Sequence, residues 1–128
     1  MDKHIIITAS VLGMLAVIAG AFGAHALKAV LAAEQLQTWQ TAVQYQFYHV
    51  FALLFLAAFA QQNSSYTNVA FYLFTFGIIF FSGSLYILSV RFALNWHWAK
   101  FLGPVTPIGG LLFIGGWLML LLGALKQK

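Results

Sequence analysis

Four apolar stretches set the pattern of the chain, at about residues 5–24, 40–62, 69–90 and 107–125. Each is long enough to cross the roughly 30 Å hydrocarbon layer of a bilayer as a helix. The second is unlike the others. Over residues 39–59, WQTAVQYQFYHVFALLFLAAF, a glutamine-rich helical half runs without Pro or Gly into an apolar half. Helical spacing puts Thr38, Thr41, Tyr45 and His49 on one stripe and Gln37, Gln44 and Tyr48 on the next. A helix from Gln35 to Gln62 is roughly 40 Å long, more than the layer needs. Its polar start must therefore reach the headgroups or be covered by other helices, because an unpaired amide in hydrocarbon costs several kcal/mol. That constraint singles out Gln44, Gln46 and His49.

Small residues mark where helices approach. Ala9, Gly13, Ala16, Gly20 and Ala24 share one face of the first span, Gly77 and Ser84 lie seven apart in the third, and Gly109, Gly116 and Gly123 recur every seven residues in the fourth. Such strips predict close packing within a bundle or between copies of it. A cleaved signal peptide is the rival expectation for residues 1–26, with Ala24-His25-Ala26 as its small-x-small site, but the apolar run is longer than a usual signal core.

The connections carry the polarity. Residues 27–38 predict an amphipathic segment in the interface, with Leu27, Val30, Leu31 and Leu36 apolar and Lys28, Glu34, Gln35 and Gln37 polar. Residues 61–68 predict a polar, uncharged loop. Residues 91–103 combine Arg91, Asn95, Trp96, His97, Trp98 and Lys100, the chemistry of a membrane interface. Thr106-Pro107 predicts a helix cap followed by proline at the first helical position.

Composition adds exclusions. The chain is 62% hydrophobic and 6% charged, far from soluble usage, and its net charge of +4 is too thinly spread for a nucleic-acid partner. Without cysteine there are no disulfides or thiolate sites. Asp2 and Glu34 are the only acids, so no buried carboxylate can orient a histidine or act as base, and no hydrolytic site assembles. The same shortage weakens an ion-coupled transporter.

With four crossings, one side of the membrane receives His25, Lys28, Gln40, Gln44, Tyr45, Tyr48, His49, Tyr86, Arg91, His97, Lys100 and Thr106. The other receives Asp2, Lys3, His4, the 61–68 loop, Lys126 and Lys128. Three Lys or Arg on each side leave orientation unassigned by the positive-inside rule. His49 is expected to serve as a structural hydrogen-bonding group, with proton relay and metal ligation as alternatives. His25 and His49 could form a bis-histidine haem pair near one interface, but the small-residue face of the first span argues for tight contact instead. No metal site and no cofactor are otherwise expected. The glycine-flanked start of the fourth span could cradle an anionic headgroup with Arg91, Lys100 and Lys28; capping and packing explain it with less. Tyr45, Tyr48, Tyr86, Trp96 and Trp98 fit an aromatic belt better than a ligand pocket.

Residues 20–28 (GAFGAHALK), 39–49 (WQTAVQYQFYH), 81–86 (FSGSLY) and 103–117 (GPVTPIGGLLFIGGW) resemble the domain-of-unknown-function family 423, which includes relatives of transmembrane protein 256. The blocks cover essentially the whole chain in order. The resemblance implies a small multi-pass protein, of the inner membrane where the source is bacterial, and implies no activity. The expectation is an all-α membrane four-helix bundle in a single domain, with a short interfacial helix between its first two spans. Its expected role is structural or accessory, binding lipids, a membrane-protein partner or another copy of itself through the polar face near His25, His49 and Arg91. The alternative is a transporter or channel subunit with a path past Gln44 and His49.

Overall fold

The computed structural model describes residues 2–60 and 64–127. Among them the chain is helical and contains no strand. Its elements are α1 (Lys3–Ala24), α2 (Ala33–Ala58), α3 (Ser65–Gly77), a π-helical segment (Ile78–Ser82), α4 (Gly83–Val90) and α5 (Val105–Lys126). Short 3-10 turns, Leu27–Ala29 and His97–Leu102, lie before α2 and α5. Because α3, the π segment and α4 run on as Ser65–Val90, four helical spans are long and apolar enough to cross a membrane. The fold is the expected all-α membrane bundle.

Local chemistry sets the boundaries. The Asp2 carboxylate accepts from the His4 N–H at 2.9 Å and the Ile5 N–H at 3.4 Å, capping α1. Ser64 Oγ accepts from the Tyr66 N–H at 3.2 Å and starts α3, so Ser65–Asn68, expected in a loop, are already helical. Gln61, Gln62 and Asn63 of that loop, and Lys128, lie outside the described residues. The interfacial helix is shorter than expected: only Leu27–Ala29 turns separately, with Leu27 and Leu31 buried and Lys28 exposed. From Ala33 the chain is in α2, because no Pro or Gly interrupts it and the Gln35 side chain accepts from the Ala32 N–H at 3.1 Å. Thr106 does not cap α5. Pro104 precedes the first turn, and Pro107 falls within the first turn, where its missing N–H would have had no helical partner.

The least apolar span, α2, is the centre of the bundle and the one with the largest buried share. It packs against α1 on one side and against α3, the π segment and α4 on the other, while α5 packs on α3 and the π segment. The small-residue strips are consumed by these contacts. Ala9 and Ala16 are fully buried, and Gly13 and Gly20 face Val50 and Val43 of α2. Gly23, rather than Ala24, continues the strip, because the Trp39 ring lies over it. On α5, Gly109 sits against the Phe80–Phe81 backbone of the π segment, Gly116 under Phe74 and Gly123 beside Tyr66. Leu53, Leu56, Phe74, Ile78 and Phe113 fill the core between them.

Two contacts at one end of the bundle tie its levels together. Trp39 meets Tyr86 with ring centroids 4.6 Å apart, and Ser84 Oγ meets Thr106 Oγ1 at 2.6 Å. The ends of α1 and α4 and the starts of α2 and α5 therefore share that end.

A methyl at Gly109 would collide with backbone, which cannot rotate away, whereas one at Gly83 would meet nothing within 4 Å. Gly109→Ala is expected to cost about 1–3 kcal/mol as overpacking. Gly83→Ala is expected to be neutral or stabilising, since alanine is the better helix former by about 1 kcal/mol in water. Thermal unfolding of the two variants in detergent checks this; equal stability would contradict the packing described.

Candidate functional site

The polar groups expected at one membrane boundary divide into three sets. The first is internal. Gln46, buried on the inner face of α2, donates from Nε2 to the Leu12 carbonyl of α1 at 2.8 Å and accepts from the Tyr86 hydroxyl of α4 at 2.6 Å. One amide thus joins three helices. Trp39 Nε1 donates to the Ala19 carbonyl at 2.8 Å, and Ser82 Oγ donates to the Ala42 carbonyl at 2.7 Å. Ser84 Oγ donates to the Phe81 carbonyl at 2.9 Å, which leaves the Thr106 hydroxyl as donor to Ser84 Oγ.

His49 belongs to this internal set. Its ring stacks on Phe113 with centroids 3.6 Å apart, and Trp117 Nε1 lies 3.1 Å from its Nε2. An indole N–H only donates, so His49 Nε2 accepts and the ring proton sits on Nδ1, which donates to the Tyr45 carbonyl at 2.7 Å. The backbones of α2 and α5 stay apart here, and the His49, Phe113 and Trp117 rings fill the gap.

This geometry corrects the haem pairing. Val50 lies opposite Gly13, so His49 is near the middle of the bundle, whereas His25 is exposed past the end of α1. The two are separated by about 16 Å along the bundle axis, from the rise of a helix. Both His49 nitrogens are engaged, so neither offers a lone pair to iron. Among the described residues no three His, Asp or Glu side chains come together as a metal site. Gln44 and His49, expected along one path, are placed apart: His49 is buried while Gln44 is exposed on the outer side of the same helix.

The second set is a pocket at the end of the bundle. Arg91, Phe92, Asn95, Trp96, His97 and Lys100 line a cavity of about 250 Å³. The loop turns sharply at Asn95, whose φ of 55° is left-handed, and closes where the Trp96 N–H donates to the Arg91 carbonyl at 2.8 Å. Arg91 lies over the Phe92 ring at 4.6 Å and Lys100 Nζ over the Phe101 ring at 5.5 Å. Neither cation has a carboxylate partner among the described residues. Glu34 borders a neighbouring cavity that Arg91 also lines, without an ion pair. Trp98 and Phe101 are exposed beside the pocket. His25 and Lys28 are exposed elsewhere at this end and do not line it.

The third set is the outer stripe of α2: Gln37, Gln40, Gln44 and Tyr48, all exposed. Tyr45 lies between the sets, its ring 4.8 Å from Phe81 and its carbonyl bonded by His49.

A four-span helical bundle with polar bonds between its helices and a basic, aromatic pocket at one end is an integral membrane protein, and comparison with known proteins agrees. The model of the family described as "Protein of unknown function (DUF423)" matches residues 19–110, and the chain belongs to that family. It is 44% identical over 124 residues to the UPF0382 membrane protein SSP2132 of Staphylococcus saprophyticus, covering 97% of this chain and 98% of the relative. It is 42% identical to the UPF0382 membrane protein YwdK of Bacillus subtilis, over 97% of this chain and 98% of that one. With the UPF0382 inner membrane protein YgdD of Escherichia coli it shares 35% identity over 99% of this chain and 93% of the relative. No solved structure matches the chain. Where the source is bacterial, the membrane is the inner one.

The bond between Gln46 and Tyr86 spans α2 and α4 within the membrane. A double-mutant cycle of Gln46→Leu and Tyr86→Phe, read as unfolding free energy in mixed micelles, should show a coupling of about 0.6–1.7 kcal/mol. Strict additivity would mean that the two side chains do not meet in the lipid-embedded protein.

Proposed function

We propose that this protein is a non-catalytic membrane component that holds an anionic lipid headgroup in the pocket of Arg91, Asn95, Trp96, His97 and Lys100. The observation that carries the proposal is the convergence of Arg91 and Lys100 on one cavity, each against an aromatic face and neither in an ion pair with a described carboxylate. Guanidinium and ammonium groups bind phosphate through charge-assisted hydrogen bonds, and Asn95 and His97 line the same cavity as further polar partners. The exposed Trp98 and Phe101 suit the headgroup level of a bilayer, where a phosphate would stand. Asp2 and Glu34 supply no general base here: Asp2 caps α1, and Glu34 is exposed at the start of α2.

The test is lipid recovery. Protein purified from phosphatidylglycerol-containing membranes should carry that lipid, as read by native mass spectrometry. Arg91→Ala with Lys100→Ala should lower recovery about ten-fold or more, since each basic side chain near a membrane surface contributes about 1 kcal/mol toward anionic lipid. Lys126→Ala, at the other end of the bundle, should leave it unchanged. Equal recovery from all three proteins would overturn the proposal.

A further inference from the structure

The outer face of α2 carries polar groups that no described residue satisfies. Thr38 and Thr41, on the flank of this face, donate to the Glu34 and Gln37 carbonyls at 3.1 and 3.0 Å. The amides of Gln40 and Gln44 and the hydroxyl of Tyr48 make no hydrogen bond to any described residue. Inside the bundle, by contrast, Thr75 Oγ1 is the one buried side-chain polar atom without a partner among the described residues. Gly23, in the last turn of α1, lies at the level of Trp39. Gln44 and Tyr48 therefore lie about 8 and 14 Å further into the bundle than Gly23, by helical rise. An acyl chain offers an amide or hydroxyl neither donor nor acceptor, so lipid tails do not complete this face at Gln44 and Tyr48.

We propose that a second copy of this chain does, with α2 packed against α2 of its partner about a two-fold axis normal to the membrane. Two copies inserted with the same orientation bring equal depths of α2 together, Gln40 opposite Gln40 and Gln44 opposite Gln44. An amide carries both a donor and an acceptor and so complements its own image, which a charged or donor-only group would not. The spacing also fits. Gln37, Gln40, Gln44, Phe51 and Ala58, with Phe47 or Tyr48 and Leu54 or Phe55 between them, follow the alternating three- and four-residue steps of a left-handed helix pair. All but Phe47 are exposed. Beside the lower half of the stripe, Tyr48, Phe51 and Phe55 of α2 and Trp117, Leu120 and Leu121 of α5 border a groove of about 630 Å³ that would take apolar side chains of the partner helix. The small-residue strips, consumed inside the bundle, are not available for this contact.

The test uses the intact chain in lipid vesicles, with labelled copies followed by single-molecule photobleaching over a dilution series. The wild type should pass from dimer to monomer on dilution, and Gln40→Leu with Gln44→Leu should weaken the dimer about ten-fold or more, leucine being at home on a lipid-facing surface. Because the chain has no cysteine, single-cysteine variants map the contact independently of any effect on affinity. Gln44→Cys should give disulfide-linked dimers on mild oxidation in membranes, whereas Ile18→Cys on α1, also exposed, should not. A wild type that stays monomeric at every dilution, a dimer indifferent to the leucine pair, or cross-linking through Ile18→Cys in place of Gln44→Cys would each overturn the proposal.

Discussion

Two helices that meet inside a bilayer exchange apolar lipid contacts for apolar protein contacts, so burial alone drives them together weakly. What remains is close fit and the need of every polar group to find a partner away from water. Both are visible at the same helix here. The middle of α2 carries Gln46 and His49, groups that hydrocarbon would penalise, and each is satisfied only by side chains or carbonyls of other helices or of its own preceding turn. Gln46 fixes α1 and α4 against α2. His49 fixes α5.

The remaining contacts divide along the same lines. Where backbones approach closely, as α1 on α2 and α5 on α3, glycine and alanine make the room. Where they stay apart, as between α2 and α5, aromatic rings fill the space and a hydrogen bond sets their register. The π segment joins the two modes. Its Ser82 donates to α2, while its Phe80–Phe81 backbone takes up the space left open by Gly109 of α5. A π turn often marks a functional position, and in this chain it sits where three helices converge.

The four spans and the glycine strips were legible because length, apolarity and small-residue period each have one strong structural meaning. The polar half of α2 was harder. Sorting its residues by polarity alone groups Gln44 with His49, yet the first is exposed and the second buried. Continuing the apolar stripe of Leu56 and Leu53 back through Val50 and His49 leads instead to Gln46 and Ala42, which are the inward residues. That signal was present in the sequence and picks Gln46 out of the glutamines. The partner of His49 was not. Trp117 lies 68 positions further along the chain, and neither spacing nor composition relates the two. The same holds for Thr106, whose hydroxyl meets Ser84 where its position before a proline suggested a cap.

Polar atoms inside the bundle are paired across helices, and the imidazole of His49 reads that pairing atom by atom. Proton-detected NMR of the protein in lipid, with labelled imidazole nitrogens and His4, His25 and His97 assigned by substitution, locates the ring proton directly. The account predicts a proton on Nδ1 and a bare Nε2 at His49, with the proton free to move to Nε2 once Trp117→Phe removes the indole donor. A wild-type His49 that carries its proton on Nε2 would contradict it.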